Sequence, residues 1–186
     1  MQLITQINDA AFHAVKAIAS VPLNQAMQVL GPSFVVVLPL LVIYLLLRHD
    51  KNVFALVAAG VLLYVVSDTI KLIVKEPRPC DVSATGLSWI NAPACESSFS
   101  FPSNHASVLT GLALFTSKYK YVRIAYVVWL AIVLFGRVYL GLHYFTDVLA
   151  GMAISIIISY AIYEERAALA RIGLRVLPFL KRWFWE

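Results

Sequence analysis

The chain has 186 residues, of which 61% are hydrophobic and 13% charged, against roughly half apolar and a quarter charged in a soluble domain. With a mean hydropathy of +0.80, this excludes an ordinary soluble domain and points to one domain that sits in lipid. The net charge of +5 does not mark a nucleic-acid partner, because the basic residues form no single patch and fall at the ends of apolar runs, where membrane topology puts them.

Residues 4–29 mix apolar and polar positions at helical spacing, broken by Pro22. They are expected to form one or two amphipathic helices on the membrane surface. Asp9, His13 and Lys16 interrupt this flank, so it lacks the compact basic start and apolar core of a signal peptide. His13 has no partner at a telling spacing and is read as incidental. Five apolar runs follow: 33–47, 53–74, 104–117, 122–139 and 145–163. A span needs about 20 residues; the first and third runs are short, the other three sufficient. Lipid offers the backbone no hydrogen bonds, so each run must be helical.

The expected fold is therefore all-α and polytopic, with about five transmembrane helices plus the amphipathic N-terminal helix or helices. It forms one domain over residues 1–186: an amphipathic flank 1–30, a transmembrane core 31–163 and a basic interfacial tail 164–186. That tail carries Arg166, Arg171, Arg175, Lys181 and Arg182 with Trp183, Phe184 and Trp185, a basic and aromatic mixture suited to the interface. Arg48, Lys51, Lys118, Lys120, Arg123 and the five basic tail residues can share one side, which is then cytoplasmic. Five spans place the N-terminus and the segments 75–102 and 140–145 outside. Cys80 and Cys95 both fall in the longer segment. They are either unrelated thiols or one disulfide on the oxidising side of a membrane. Residues 80–101, with Trp89, are long enough to act as a lid or recognition element.

Three segments at the outer span ends carry chemistry. The first runs from Lys71 to Arg78-Pro79, the second is Pro102-Ser103-Asn104-His105, and the third runs from Arg137 through His143 to Asp147. Charges near lipid are costly and have partners or a function. Lys75 is read as snorkelling to the interface and Asp68, three residues before Lys71, as that lysine's partner. Lys71, Arg78 and Arg137 suit an anionic tetrahedral group, arginine through its fork and lysine as a point charge. His143 and Asp147 are four residues apart, on one helix face. The carboxylate can hold one imidazole nitrogen and leave the other basic, as for an oriented nucleophile; a helix-surface ion pair is the plainer alternative. Ser103 reads as a helix N-cap, which would aim the free amides of Asn104 and His105 at an anion. Tyr139 and Tyr144 are expected to line the interface.

These segments resemble the three signature motifs of the type 2 phosphatidic acid phosphatase superfamily, which also includes vanadium haloperoxidases. Lys71 precedes Arg78-Pro79 by the family gap, and Arg137, His143 and Asp147 keep both gaps of the third motif. Asn104 stands where glycine is usual, and Gly136 where serine is usual. Asparagine tolerates some of glycine's dihedrals and adds an amide, so activity is expected to survive with an altered pocket. The resemblance implies a bacterial membrane lipid phosphatase in which His143 attacks phosphorus and His105 protonates the leaving oxygen. Lys71, Arg78, Ser103, Asn104 and Arg137 would bind the phosphate, with no metal or other cofactor. The expected partners are a lipid phosphate and the bilayer; neither a protein partner nor a nucleic acid is indicated. Candidate substrates are undecaprenyl pyrophosphate, lipid A 1-phosphate and phosphatidylglycerophosphate, met at the periplasmic or exterior face of a bacterial inner membrane. A transporter would place charges at mid-span on paired broken helices, and a non-catalytic lipid-phosphate binding protein would be expected to lose a histidine; neither pattern occurs.

Overall fold

The computed structural model describes residues 2–81 and 95–185; Trp89 and most of the expected lid lie outside the described residues. Among them the chain is helical, with no strand. Helix α1 is Gln2–Ala17 and α2 is Val21–Leu30, with Pro22 in the first turn of α2, where its missing N–H costs nothing. A 3-10 turn, Gly31–Ser33, carries α2 into α3, Phe34–Leu47. Then come α4, Asn52–Val74, and α5, Asn104–Leu112, which a 3-10 turn extends to Thr116. Helices α6, Lys120–Tyr139, and α7, Phe145–Glu164, follow. The tail forms α8, Arg166–Val176, and α9, Phe179–Trp185.

Four helical stretches are long and apolar enough to cross a membrane: Val21–Leu47, Asn52–Val74, Lys120–Tyr139 and Phe145–Glu164. The first is longer than the 33–47 run read from sequence. The 3-10 turn Gly31–Ser33 continues the helical path, so residues 21–30, expected to belong to the surface flank, join the first apolar stretch. The expected run 104–117 is α5 with its 3-10 extension, shorter than a full span and packed chiefly between α4 and α7.

The outer faces of the long helices are apolar, with Val36, Ile73, Ile156 and Ile157 all more than 60% exposed. Lipid rewards such surfaces, so helix association depends on close packing instead. Small residues supply it. A Cβ on Gly111 of α5 would run into Ser155 and Ser159 of α7 and Leu63 of α4. One on Gly151 of α7 would stand 2.8 Å from the Ser103 carbonyl and 2.9 Å from the Ala106 Cβ.

Both ends of the bundle are fastened by polar contacts. At one end, buried Asp50 accepts from the Tyr119 hydroxyl at 2.9 Å and from the Asn52 amide at 3.0 Å, joining the α3–α4 turn to the start of α6. Helix α8 presses Gly173 against the Phe54 ring of α4. At the other end, Asn8 of α1 donates to the Thr146 hydroxyl at 3.0 Å and accepts from the Thr146 amide at 3.1 Å. There α4 ends with Lys75 in the left-handed region, φ 55°, and the chain leaves toward Cys80, which is bridged to Cys95. Of the two readings of the cysteines, the structure has the disulfide.

Candidate active site

Helices α4 and α6 run toward this end and α5 and α7 away from it, so one end of the bundle gathers Lys71, His105, Arg137 and Asp147. The segments outside the helices add Arg78 and His143. Five of these six side chains are at most 5% exposed: Lys71, Arg78, Arg137, His143 and Asp147. Buried charges require partners, and the chain passing over the site supplies them. Lys71 Nζ donates to the Phe99 and Ser100 carbonyls at 2.7 and 3.0 Å. Arg78 donates through Nε to the Ser98 carbonyl and through Nη1 to the Leu142 carbonyl, both at 2.7 Å. Its Nη2 reaches the Ser98 hydroxyl at 2.8 Å and Glu96 Oε2 at 2.7 Å. The other oxygen of Glu96 pairs with Arg137 Nη2, so one carboxylate bridges both guanidiniums.

His143 sits in the turn between α6 and α7, its ring placed between an acid and a base. Nδ1 lies 3.5 Å from Asp147 Oδ2, and Nε2 lies 3.0 Å from Arg78 Nη1. Asp147 Oδ2 also accepts from the Ser100 hydroxyl at 2.5 Å and the Tyr144 amide at 2.9 Å. These contacts fix the carboxylate in the first turn of α7, where the helix dipole favours negative charge. Burial holds the His143 imidazole well below the ordinary histidine range, and Arg78, Arg137, Lys71 and His105 add to the effect. Its ring is thus neutral near neutral pH, with a lone pair available on one nitrogen.

Ser103 is the N-cap of α5: it is fully buried and its hydroxyl accepts from the Ala106 amide at 3.4 Å. Ser103 and Asp147 stand behind the cavity wall, whereas Lys71, Arg78, Asn104, His105, Arg137 and His143 line a cavity of about 930 Å³. The far wall is apolar, with Phe34, Leu38, Val42, Val57, Val61 and Val65. The His105 ring meets Phe34 edge-on, centroids 4.7 Å apart. Among the described residues, His105 Nε2, Asn104 Oδ1 and Arg137 Nε are buried without a partner. Asn104 turns its Nδ2 toward Asp68 Oδ1 at 3.5 Å, so Asp68 faces the site as well as adding to the potential at Lys71.

Three participants were not singled out by sequence. Glu96 bridges the arginines, and Ser100 holds Asp147. Glu76 lies beside Asp147, and burial together with that neighbour raises its carboxyl to about 7. For Glu96 burial opposes ionisation, but Arg137 and Arg78 outweigh it and hold the carboxyl below its ordinary range. The one sequence signal for these residues was their place in the segment the cysteines enclose or flank. Among the described residues no group of three His, Cys, Asp or Glu side chains could hold a metal ion.

A helical membrane bundle that sets three buried cations around a His–Asp pair, beside a largely apolar cavity, has the charge and shape to receive an anionic group. The family model of the PAP2 superfamily matches residues 51–169, well over half of the chain, and the chain belongs to that superfamily as a multi-pass membrane protein. It is 32% identical over 69 residues to the lipid A 4'-phosphatase of Porphyromonas gingivalis, a match covering 36% of this chain and 29% of that one. Its fold is similar to the crystal structure of a PAP2-type phosphatidylglycerolphosphate phosphatase from Bacillus subtilis, with a TM-score of 0.67 and 24% identity over 88% of this chain and 86% of the other. It is also similar to Aquifex aeolicus LpxE, with a TM-score of 0.70 and 22% identity over 82% of this chain and 92% of the other.

Proposed function

We propose that this protein is a lipid phosphatase that hydrolyses a membrane lipid phosphate through a phosphohistidine. The observation that carries the reading is the arrangement of His143 Nε2 beside Arg78, with Lys71 and Arg137 at the polar end of a cavity whose other walls are apolar. A phosphate head at the cations leaves the hydrocarbon chains of a lipid in the apolar part. The names of the similar proteins, all phosphatases of lipids where the name says so, support the same class.

In this mechanism Lys71, Arg78 and Arg137 hold the phosphoryl oxygens and stabilise charge in the transition state. Ser103 fixes the start of α5 so that the amides of Asn104 and His105 face the anion. His143 Nε2 forms a bond to phosphorus while the P–O bond to the lipid breaks, and His105 gives its proton to the leaving oxygen. Asp147 holds Nδ1 and stabilises the cationic ring. Water then attacks the phosphohistidine, yields its proton to His105, and releases inorganic phosphate and free His143. The cations come from the protein, so no metal enters a step.

The whole chain acts as one phosphatase domain, with its basic tail on the cytoplasmic interface and the site at the outer face of a bacterial inner membrane. Undecaprenyl pyrophosphate, lipid A 1-phosphate and phosphatidylglycerophosphate are the candidate substrates. Phosphate release by purified protein in detergent, measured on these three lipids, tests the proposal. Release from at least one, lost in His143→Ala, is expected; no release from any would overturn it.

A further inference from the structure

Beside His105 lies a corner of the cavity that the phosphate clamp does not use. Asn104 Oδ1 is buried there without a partner among the described residues. Its amide nitrogen leans toward Asp68 Oδ1 at 3.5 Å, and both side chains line the cavity. Asn104 Oδ1 and the Asp68 carboxylate therefore bring hydrogen-bond acceptors together at one part of the cavity lining. Lys71, three residues after Asp68 on α4, donates to the Phe99 and Ser100 carbonyls, with no ion pair to Asp68 among the described residues.

On the mechanism proposed above, that corner faces the leaving group, because in-line attack by His143 sends the departing oxygen toward His105. Acceptors aimed at a leaving group read hydroxyl or amide N–H donors. A buried acceptor left unpaired is costly, so a site of this kind favours ligands that fill it. A diphosphate would bring its second phosphate here instead, an anion with acceptors only, against a carboxylate.

We propose that Asp68 and Asn104 form a hydroxyl-reading corner that selects lipid phosphate monoesters on a glycerol or sugar leaving group and disfavours diphosphates. The inference rests on the lipid-phosphatase reading and decides which substrate class that site takes. Asparagine in place of the family's usual glycine supplies one of the acceptors, and Asp68 does more than accompany Lys71.

The test compares kcat/KM for three soluble-chain lipids in the full-length protein in detergent. Dioctanoyl phosphatidylglycerophosphate has a hydroxyl beside the ester carbon, dioctanoyl phosphatidic acid has none, and farnesyl diphosphate carries a second phosphate. Wild type should favour the first over the third by at least about tenfold, an effect of roughly 1.4 kcal/mol. Asp68→Asn should shrink that ratio by about the same factor, and Asn104→Gly should lower the first relative to the second. Ratios are read because an indirect effect on Lys71 would lower all three rates together. Preference of the wild type for farnesyl diphosphate overturns the proposal without any variant. So does either variant that still binds vanadate but changes all three rates in step. No phosphate from any of the three would sink the lipid-phosphatase reading, and this inference with it.

Discussion

Arg78 Nη1 lies 3.0 Å from His143 Nε2, while Asp147 Oδ2 lies 3.5 Å from Nδ1 on the opposite side of the ring. In the proposed mechanism Asp147 holds one nitrogen and the other attacks phosphorus. His143→Ala should therefore abolish turnover, and His105→Ala should impair it severely. An activated leaving group such as p-nitrophenol needs little protonation. With it, His105→Ala should recover part of its rate and His143→Ala none. Steady-state rates of both variants on lipid and activated substrates check this; near-normal turnover by His143→Ala would refute the nucleophile.

The proposed clamp is made of the protein's own cations, so chelators should leave wild-type turnover unchanged. Vanadate should inhibit competitively, since it adopts a five-coordinate geometry like that of in-line transfer. Replacing Arg78 or Arg137 by Lys should weaken vanadate binding, because an ammonium cannot reproduce a two-pronged contact. Inhibition curves with and without chelator measure both effects.

Glu76 makes the folded protein sensitive to pH. Its carboxyl is raised from 4.5 to about 7, so the folded state holds a proton that the unfolded state has lost. The stabilisation is fully present below about pH 4.5 and disappears as pH rises through about 7. Glu76 is half-buried, so solvent damps the size of the effect. Thermal melts in detergent across this window should fall with pH in wild type and be flatter in Glu76→Gln.

Gly151→Ala should lower both stability and activity. The added methyl would press on the Ser103 carbonyl and the Ala106 Cβ, and so on the N-cap that positions His105. Overpacking of this kind costs typically about 1–3 kcal/mol. An exposed alanine change such as Val36→Ala should leave activity intact. Melting temperature and phosphate release for the two variants provide the comparison.

The Cys80–Cys95 bridge closes a 15-residue separation, for which chain entropy predicts roughly 3 kcal/mol of stabilisation. Cys80→Ser with Cys95→Ser should lower the melting temperature, and unreduced wild type should resist alkylation. Reporter fusions at Lys120 and near the C-terminus should report the cytoplasmic side; an external signal at Lys120 would reverse the orientation.

The residues legible in the sequence were those whose spacing is set by one helix or by one helix end. His143 and Asp147 do meet, as their four-residue spacing suggested, but His143 lies in the turn before α7 and not on the helix face expected of it; Ser103 precedes an apolar run as an N-cap does. The structure brings Lys71 and Arg137 to them because α4 and α6 end on the same side of the bundle, and the segment after α4 brings Arg78. Glu96, Ser100 and Glu76 were not legible, since no local period links residue 96 to residue 137 or residue 100 to residue 147. The Asn104–Asp68 contact was hidden for the same reason, being formed across 36 positions between two helices. Helix α2 was read as a surface element because residues 4–29 mix polar and apolar positions, whereas the 3-10 turn Gly31–Ser33 carries it on into the apolar α3.

Glu96 pairs with Arg78 and Arg137 together, and on the proposed mechanism this makes anion capture at these guanidiniums an exchange rather than an addition. A phosphate that takes the two guanidiniums must release a carboxylate already attached to the same chain. Its apparent affinity is then the difference between two ion pairings, smaller than three bare cations would give. The tethered acid is also at hand when inorganic phosphate departs, so the arginines need not be left unpaired between turnovers.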